Sequence, residues 1–126
     1  MVIIDTNIII DHIRQPKTTE SHFLKVIKNN PKEIFAISVF SVQELYVGRS
    51  TKQIEIEQYL LSIINSLKIL PYTYTVAKLA GEIDRDSEKT IQFPDAAIAA
   101  TAIINDASLY TLNQKDFIDI PNLQLL

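Results

Sequence analysis

Three acidic side chains in this 126-residue chain stand where a carboxylate can act on a ligand: Asp5, Glu44 and Asp95. Asp5 directly follows the apolar run Val2-Ile3-Ile4. Glu44 lies about one turn into a stretch of helical spacing, and Asp95 precedes an almost wholly apolar segment. Each has an ordinary structural use. Asp5 can cap the next helix, Ser41-Val42-Gln43-Glu44 spells a capping box, and Asp95 after Pro94 complements a helix dipole. Carboxylates gathered in one place repel, and a divalent cation relieves that repulsion. Oxygen ligands with no cysteine select a hard ion, Mg²⁺ or Mn²⁺. Such an ion polarises a phosphoryl oxygen and makes a nucleophile of bound water, so the chemistry pointed to is phosphodiester hydrolysis.

Composition removes most rivals. Cysteine is absent, which excludes a disulfide framework, a thiol nucleophile and cysteine-bound zinc or iron–sulfur sites. His12 and His22 are the only histidines and neither sits with the acids in sequence, so each is read as a surface or half-buried residue. With glycine only at positions 48 and 81, no Walker A loop, dinucleotide fingerprint or nucleophile elbow is present. No run reaches the length of a membrane span, and the apolar start lacks the basic flank of a signal peptide, so the chain reads as cytoplasmic. The net charge of −3 is uneven. Residues 1–52 hold seven Lys and Arg against five Asp and Glu, and residues 53–126 hold five against ten. Recognition of nucleic acid by bulk charge is therefore not the expectation.

The elements that must position the acids follow from periodicity. Short β-branched or apolar runs at Val2–Ile4, Ile34–Ile37, Lys68–Leu70 and Ser108–Thr111 read as strands, with an edge strand at Leu123–Leu126. Helices are expected over Ile8–Ile13, Thr18–Asn29, Ser41–Val47, Thr51–Leu67, Thr73–Glu88 and Pro94–Asn105, with a short turn at Asn113–Phe117. The segment after Pro94 is apolar nearly all round and belongs in the centre. Alternation of this kind predicts a single α/β domain over residues 1–126, with a mainly parallel central sheet between helices. In such sheets ligands bind beyond the carboxyl ends of the strands, where all three acids can converge.

Four stretches carry a family resemblance. Ile3-Ile4-Asp5-Thr6-Asn7, Ser41-Val42-Gln43-Glu44-Leu45, Phe93-Pro94-Asp95-Ala96-Ala97-Ile98-Ala99-Ala100-Thr101-Ala102 and Thr111-Leu112-Asn113-Gln114-Lys115-Asp116-Phe117 resemble, in order, the motifs of PIN-domain ribonucleases. Length and spacing are most similar to the VapC-type toxins of type II toxin–antitoxin modules. The resemblance implies a PIN-like three-layer fold and a metal-dependent endoribonuclease using Mg²⁺ or Mn²⁺. It makes Asp5, Glu44 and Asp95 the metal-binding carboxylates and adds Asp116 to the catalytic set, with Thr6, Asn7, Thr111 and Asn113 orienting them. Asn113 stands where many relatives have an acid.

The same resemblance implies a cognate VapB-type antitoxin whose tail blocks the groove. The apolar helix over 54–67 offers a homodimer surface or, equally, a core face. Arg14, Lys17, Arg49 and Lys52 are expected as a basic margin for RNA, and Tyr46, Tyr59, Tyr72 and Tyr74 as residues that stack bases or fill the core. Two other readings stay open. One is a PIN-like RNA- or protein-binding regulator without catalysis. The other is a phosphohydrolase with Asp5 as covalent nucleophile, against which Asn7 occupies the place of a second acid.

Overall fold

The computed structural model describes residues 1–126. Strands β1 (Val2–Ile4), β2 (Phe35–Ser38), β3 (Lys68–Leu70), β4 (Ser108–Tyr110) and β5 (Gln124–Leu125) form one sheet in the order β3-β2-β1-β4-β5. Every pairing is parallel, with Ile3 opposite Ala36 and Leu109, so the sheet is parallel throughout rather than mainly so. The helices are α1 (Thr6–Arg14), α2 (His22–Asn29), α3 (Val39–Val47), α4 (Ile54–Ile64), α5 (Tyr74–Asp86), α6 (Phe93–Ile104) and α7 (Gln114–Phe117).

The central strand β1 is buried on both faces because helices cover both, whereas the edge-ward β3 leaves Lys68 and Ile69 exposed. Val2, Ile4 and Ile37 point into a cluster with Ile8, Phe23, Leu60 and Ile63. Their neighbours Ile3, Ala36 and Leu109 point the other way, against Ile98, Ala99 and Phe117. A period of two thus splits one sheet between two cores. Ala96 to Ala102 are all buried, as their near-uniform apolarity requires, and α5 packs Val76 and Ala80 on Ala96 and Ala100.

Element boundaries differ from the sequence reading for local reasons. α2 begins at His22, not Thr18, because Ser21 accepts the Leu24 N–H as N-cap. The single helix expected over Thr51–Leu67 is two pieces: a 3₁₀ turn at Arg49–Lys52, then α4, which stops at Ile64. α3 starts at Val39, capped by Ser38 accepting the Phe40 N–H at 3.1 Å. The capping box expected at Ser41 does not form, and the fully buried Ser41 hydroxyl has no partner. Of the apolar residues over 54–67, Leu60, Ile63, Ile64 and Leu67 are core, while Ile54 and Leu61 stand exposed.

Candidate active site

Asp5 begins the site because β1 ends there. The sheet order reverses at β1, whose neighbours β2 and β4 lead away in opposite directions, and the crevice beyond β1 and β4 is where such sheets bind ligands. Asp5 is the N-cap of α1: one oxygen accepts the Thr6 N–H at 2.7 Å. The cap does not exhaust it. Its other oxygen accepts the Thr111 hydroxyl at 2.6 Å across 106 residues, so a side chain 4% exposed has a donor on each oxygen. Burial nevertheless pushes the Asp5 pKa above its ordinary value, with the Thr111 and Thr6 hydrogen bonds pulling the other way.

Glu44 reaches the same place from α3. Freed from the expected capping box, its Oε1 accepts the Thr6 hydroxyl at 2.7 Å. Thr6 therefore serves two acids, its backbone N–H to Asp5 and its hydroxyl to Glu44. Burial raises the Glu44 pKa, the Thr6 bond opposes that, and the charge of Asp5 adds to it.

Asp95, in the first turn of α6, is half-buried with no hydrogen-bond donor on it. Its pKa is pushed up to about 6, by burial first and then by the charges of Asp5, Asp116 and Glu44. Asp95 thus feels the charge of the other three acids. Asp116 is exposed on α7 and faces Asp5 and Asp95 only through its charge.

The remaining residues of the expected set divide. Asn7 bridges two segments: its Nδ2 donates to Thr111 Oγ1 at 3.2 Å and its Oδ1 accepts the Leu112 N–H. Thr111 in turn accepts the Asn113 N–H at 3.0 Å, so Asn113 supports Thr111 through its backbone, while its exposed side chain makes no cap bond. Thr6, Asn7 and Thr111 form a hydroxyl and amide scaffold beneath Asp5 and Glu44. No group of three or more His, Cys, Asp or Glu side chains is drawn together closely enough to hold a metal ion as it stands. That narrows the expectation of one shared ion: the acids share a field, and binding would have to draw them inward.

A groove of about 690 Å³ runs from Asp95 and Asp116 between α5, the loop joining α5 to α6, and the segment after α7. Lys89 pairs with Asp119 along it. Asp5 and Glu44 lie outside its lining, so the groove approaches the acids from one side.

Other expected residues are elsewhere. Arg14 ends α1 and Lys17 lies over the ring of Tyr59. With α1 leaving Asp5 at ~1.5 Å per residue, both are more than about 10 Å from it. Arg49 and Lys52 lie in the 3₁₀ turn beyond α3. The four cations thus stand at or beyond the C-terminal ends of α1 and α3. Tyr46 donates to Glu57, and Tyr59 is held by His12. His12 is half-buried, as expected, with Nδ1 at 2.6 Å from Ser21 Oγ and Nε2 at 2.9 Å from Tyr59 Oη. Sequence reasoning missed Ser38 as the cap of α3 and Phe40 and Phe93 as rim residues. The signal for Ser38 was its place directly after an apolar strand.

A parallel sheet with its acids at the reversal of strand order defines an acidic ligand site on an α/β domain, and the comparisons narrow the class. A family profile described as PIN domain matches residues 2–123, so the chain belongs to the PIN-domain family. Within that family it groups with the VapC ribonucleases. It is 32% identical over 127 residues to Ribonuclease VapC19 of Mycobacterium tuberculosis, covering 98% of each chain. It is 32% identical over 136 residues to Ribonuclease VapC1 of Rickettsia felis, covering 99% of this chain and 94% of the relative. Among solved structures it is similar to a chain of VapBC2 from Rickettsia felis bound to a promoter DNA fragment, with TM-score 0.86 and 28% identity over 100% of this chain and 98% of that one.

Proposed function

We propose that this chain is an endoribonuclease that hydrolyses RNA phosphodiester bonds, the toxin partner of a VapB-type antitoxin. The observation that carries it is the acid cluster at the strand reversal, where Asp95 feels three other carboxylates and has no cation or donor to offset them. A purely structural cluster of this kind is self-repelling, which argues for a positively charged ligand. The donor set suits Mg²⁺ or Mn²⁺: oxygen only, with Asp5, Glu44 and Asp95 as the residues that would hold it. When bound, such an ion supplies Lewis acidity and a more acidic water.

The chain's own residues do the rest. Thr6 and Thr111 each donate to one oxygen of Asp5 and leave the remaining lone pairs for a ligand, so the carboxylate is oriented before substrate arrives. Thr6 does the same for one oxygen of Glu44 and leaves the other free to take a proton from the attacking water. Asp116, exposed at the groove mouth, adds negative charge that holds cations near the site. The antitoxin reading is supported by the solved relatives being VapBC complexes. A tail that competes at this cluster needs a cation of its own, and arginine suits best. The exposed Val47, Ile54 and Leu61 support a second copy of the chain as the cover for α3 and α4, which light scattering tests.

The test is cleavage of labelled RNA by metal-stripped protein, with Mg²⁺ or Mn²⁺ returned. Cleavage restored by either ion and abolished by chelator supports the proposal; unchanged cleavage in chelator removes the metal, and no cleavage under any condition leaves the binding regulator as the better reading. No helix is long and apolar enough to cross a membrane.

A further inference from the structure

We infer that Phe93, backed by Phe40 and Tyr72, forms a stacking platform for an unpaired nucleobase of the RNA beside the scissile phosphate; the inference rests on the ribonuclease reading above. Three segments far apart in sequence bring these rings together at the carboxyl rim of the sheet. Phe40 lies in the first turn of α3 just after β2, Tyr72 just after β3, and Phe93 at the first position of α6. Phe40 is 5.5 Å from Phe93 and 5.7 Å from Tyr72 between ring centroids, at interplanar angles of 51° and 56°. In this tilted packing Phe40 is the middle ring, and Phe93 on the outside remains open to solvent.

Burial does not explain the cluster. Phe93 is 63% exposed, and neither Phe40 nor Phe93 belongs to any of the three apolar clusters, although Tyr72 leans on the contact between α5 and α6. A large apolar ring kept in water at the rim of a charged site is the arrangement by which proteins hold single-stranded bases, since every base has a π-face.

Continuity with the acids selects the occupant. Phe40 precedes Glu44 by one helical turn on α3, so the two share a side of that helix; Phe93, two residues before Asp95 on α6, diverges from it in direction and is tied to that side by its contact with Phe40 at 5.5 Å. The rings therefore continue the side of α3 that carries Glu44, with Phe93 on the outside of Phe40. A nucleotide whose phosphate meets the acids has its base within reach of Phe93. The tyrosines first considered for stacking are otherwise engaged, Tyr59 by His12 and Tyr46 by Glu57.

The experiment compares Phe93→Leu and Phe93→Trp, both in an Asp5→Asn background that leaves RNA uncut. Binding of a short unpaired oligoribonucleotide carrying 2-aminopurine is followed by anisotropy and by quenching of the base on stacking. Phe93→Leu keeps apolar bulk at an exposed position and removes the ring face. It should weaken binding about tenfold and abolish quenching, with Phe93→Trp retaining both. Otherwise unaltered protein carrying Phe93→Leu should show a raised KM with kcat near that of the parent. Unchanged affinity and quenching in Phe93→Leu, in a protein whose parent cuts RNA, overturns the platform alone. A parent that neither binds nor cuts the RNA overturns the ribonuclease reading and the platform with it. Loss of self-association in Phe93→Leu without loss of RNA affinity would assign the rings to a contact between copies and also overturn the inference.

Discussion

Two polar centres are built into this domain on opposite terms. Around His12, every demand is met from within: Ser21 and Tyr59 satisfy both ring nitrogens, and Phe23 and Tyr59 pack on the ring at 5.1 and 5.8 Å. Around Asp5, Glu44 and Asp95, hydroxyls hold part of the cluster and the charges are left facing one another. The first centre joins α1, the N-cap of α2 and α4, and its work is finished when the chain folds. The second, on the function proposed above, is left for a positive ligand to finish. A satisfied network stabilises, and an unsatisfied one marks where a ligand is wanted.

The largest separation of the two should come from Asp5→Asn. Asparagine also caps helices, so the fold should survive with little change in melting temperature, while RNA cleavage falls by about a thousandfold. Retained cleavage in metal-purified buffer would remove Asp5 from the mechanism. Thr111→Val takes a buried donor from the same carboxylate and should cost about ten- to a hundredfold in cleavage, chiefly through metal requirement, which a Mg²⁺ titration of the rate would read.

Next in size is the response to the ion itself. Mg²⁺ at a hundred times its Kd should stabilise the unmodified protein by about 2.7 kcal/mol, or about 10 °C in a thermal melt. Asp95→Asn should lose most of that gain and His12→Ala none of it. His12→Ala, in contrast, should destabilise by about 2 kcal/mol in urea, since it orphans Ser21 and Tyr59, with kcat unmoved.

The finest contrast is in pH. Asp95 titrates near 6 in the fold against an ordinary 3.8, so the folded state holds its proton more tightly. That contribution is fully present below about pH 4 and is lost as pH rises through 6. His12 is lowered from 6.5, chiefly by burial, with Asp11 opposing, so its contribution is present above 6.5 and lost on acidification. Without metal, the two centres should pull stability in opposite directions over this window. Urea melts in chelator should show Asp95→Asn losing more stability on acidification than the parent, and His12→Ala losing less.

What could be read in advance follows the same division. Asp5 after a three-residue apolar strand and Asp95 before an all-round apolar helix carry local signals, and the structure puts both at the rim of the sheet. Glu44 was harder. Ser41-Val42-Gln43-Glu44 satisfies the local pattern of a capping box, yet the chain leaves its strand three residues earlier and Ser38 takes the cap. The residue that settles Glu44 is Thr6, 38 positions upstream, and no window along the chain contains both. His12 and Tyr59, 47 apart, are invisible for the same reason. The long helix expected from the periodicity of Ile56 to Leu67 failed at its start, where the Arg49–Lys52 turn is shaped by contacts with α3 and α4.

The strand made first lies in the middle of the sheet, and one of its two neighbours is made almost last. Until Ser108–Tyr110 is added, Ile3 and Ile4 have one edge open and Asp5 lacks Thr111. A chain still emerging from the ribosome therefore carries three of the acids but no completed centre, and the stretch from Ser108 onward is what arms it. For an enzyme whose proposed target is RNA, the order of strands doubles as a safeguard for the machinery that makes it.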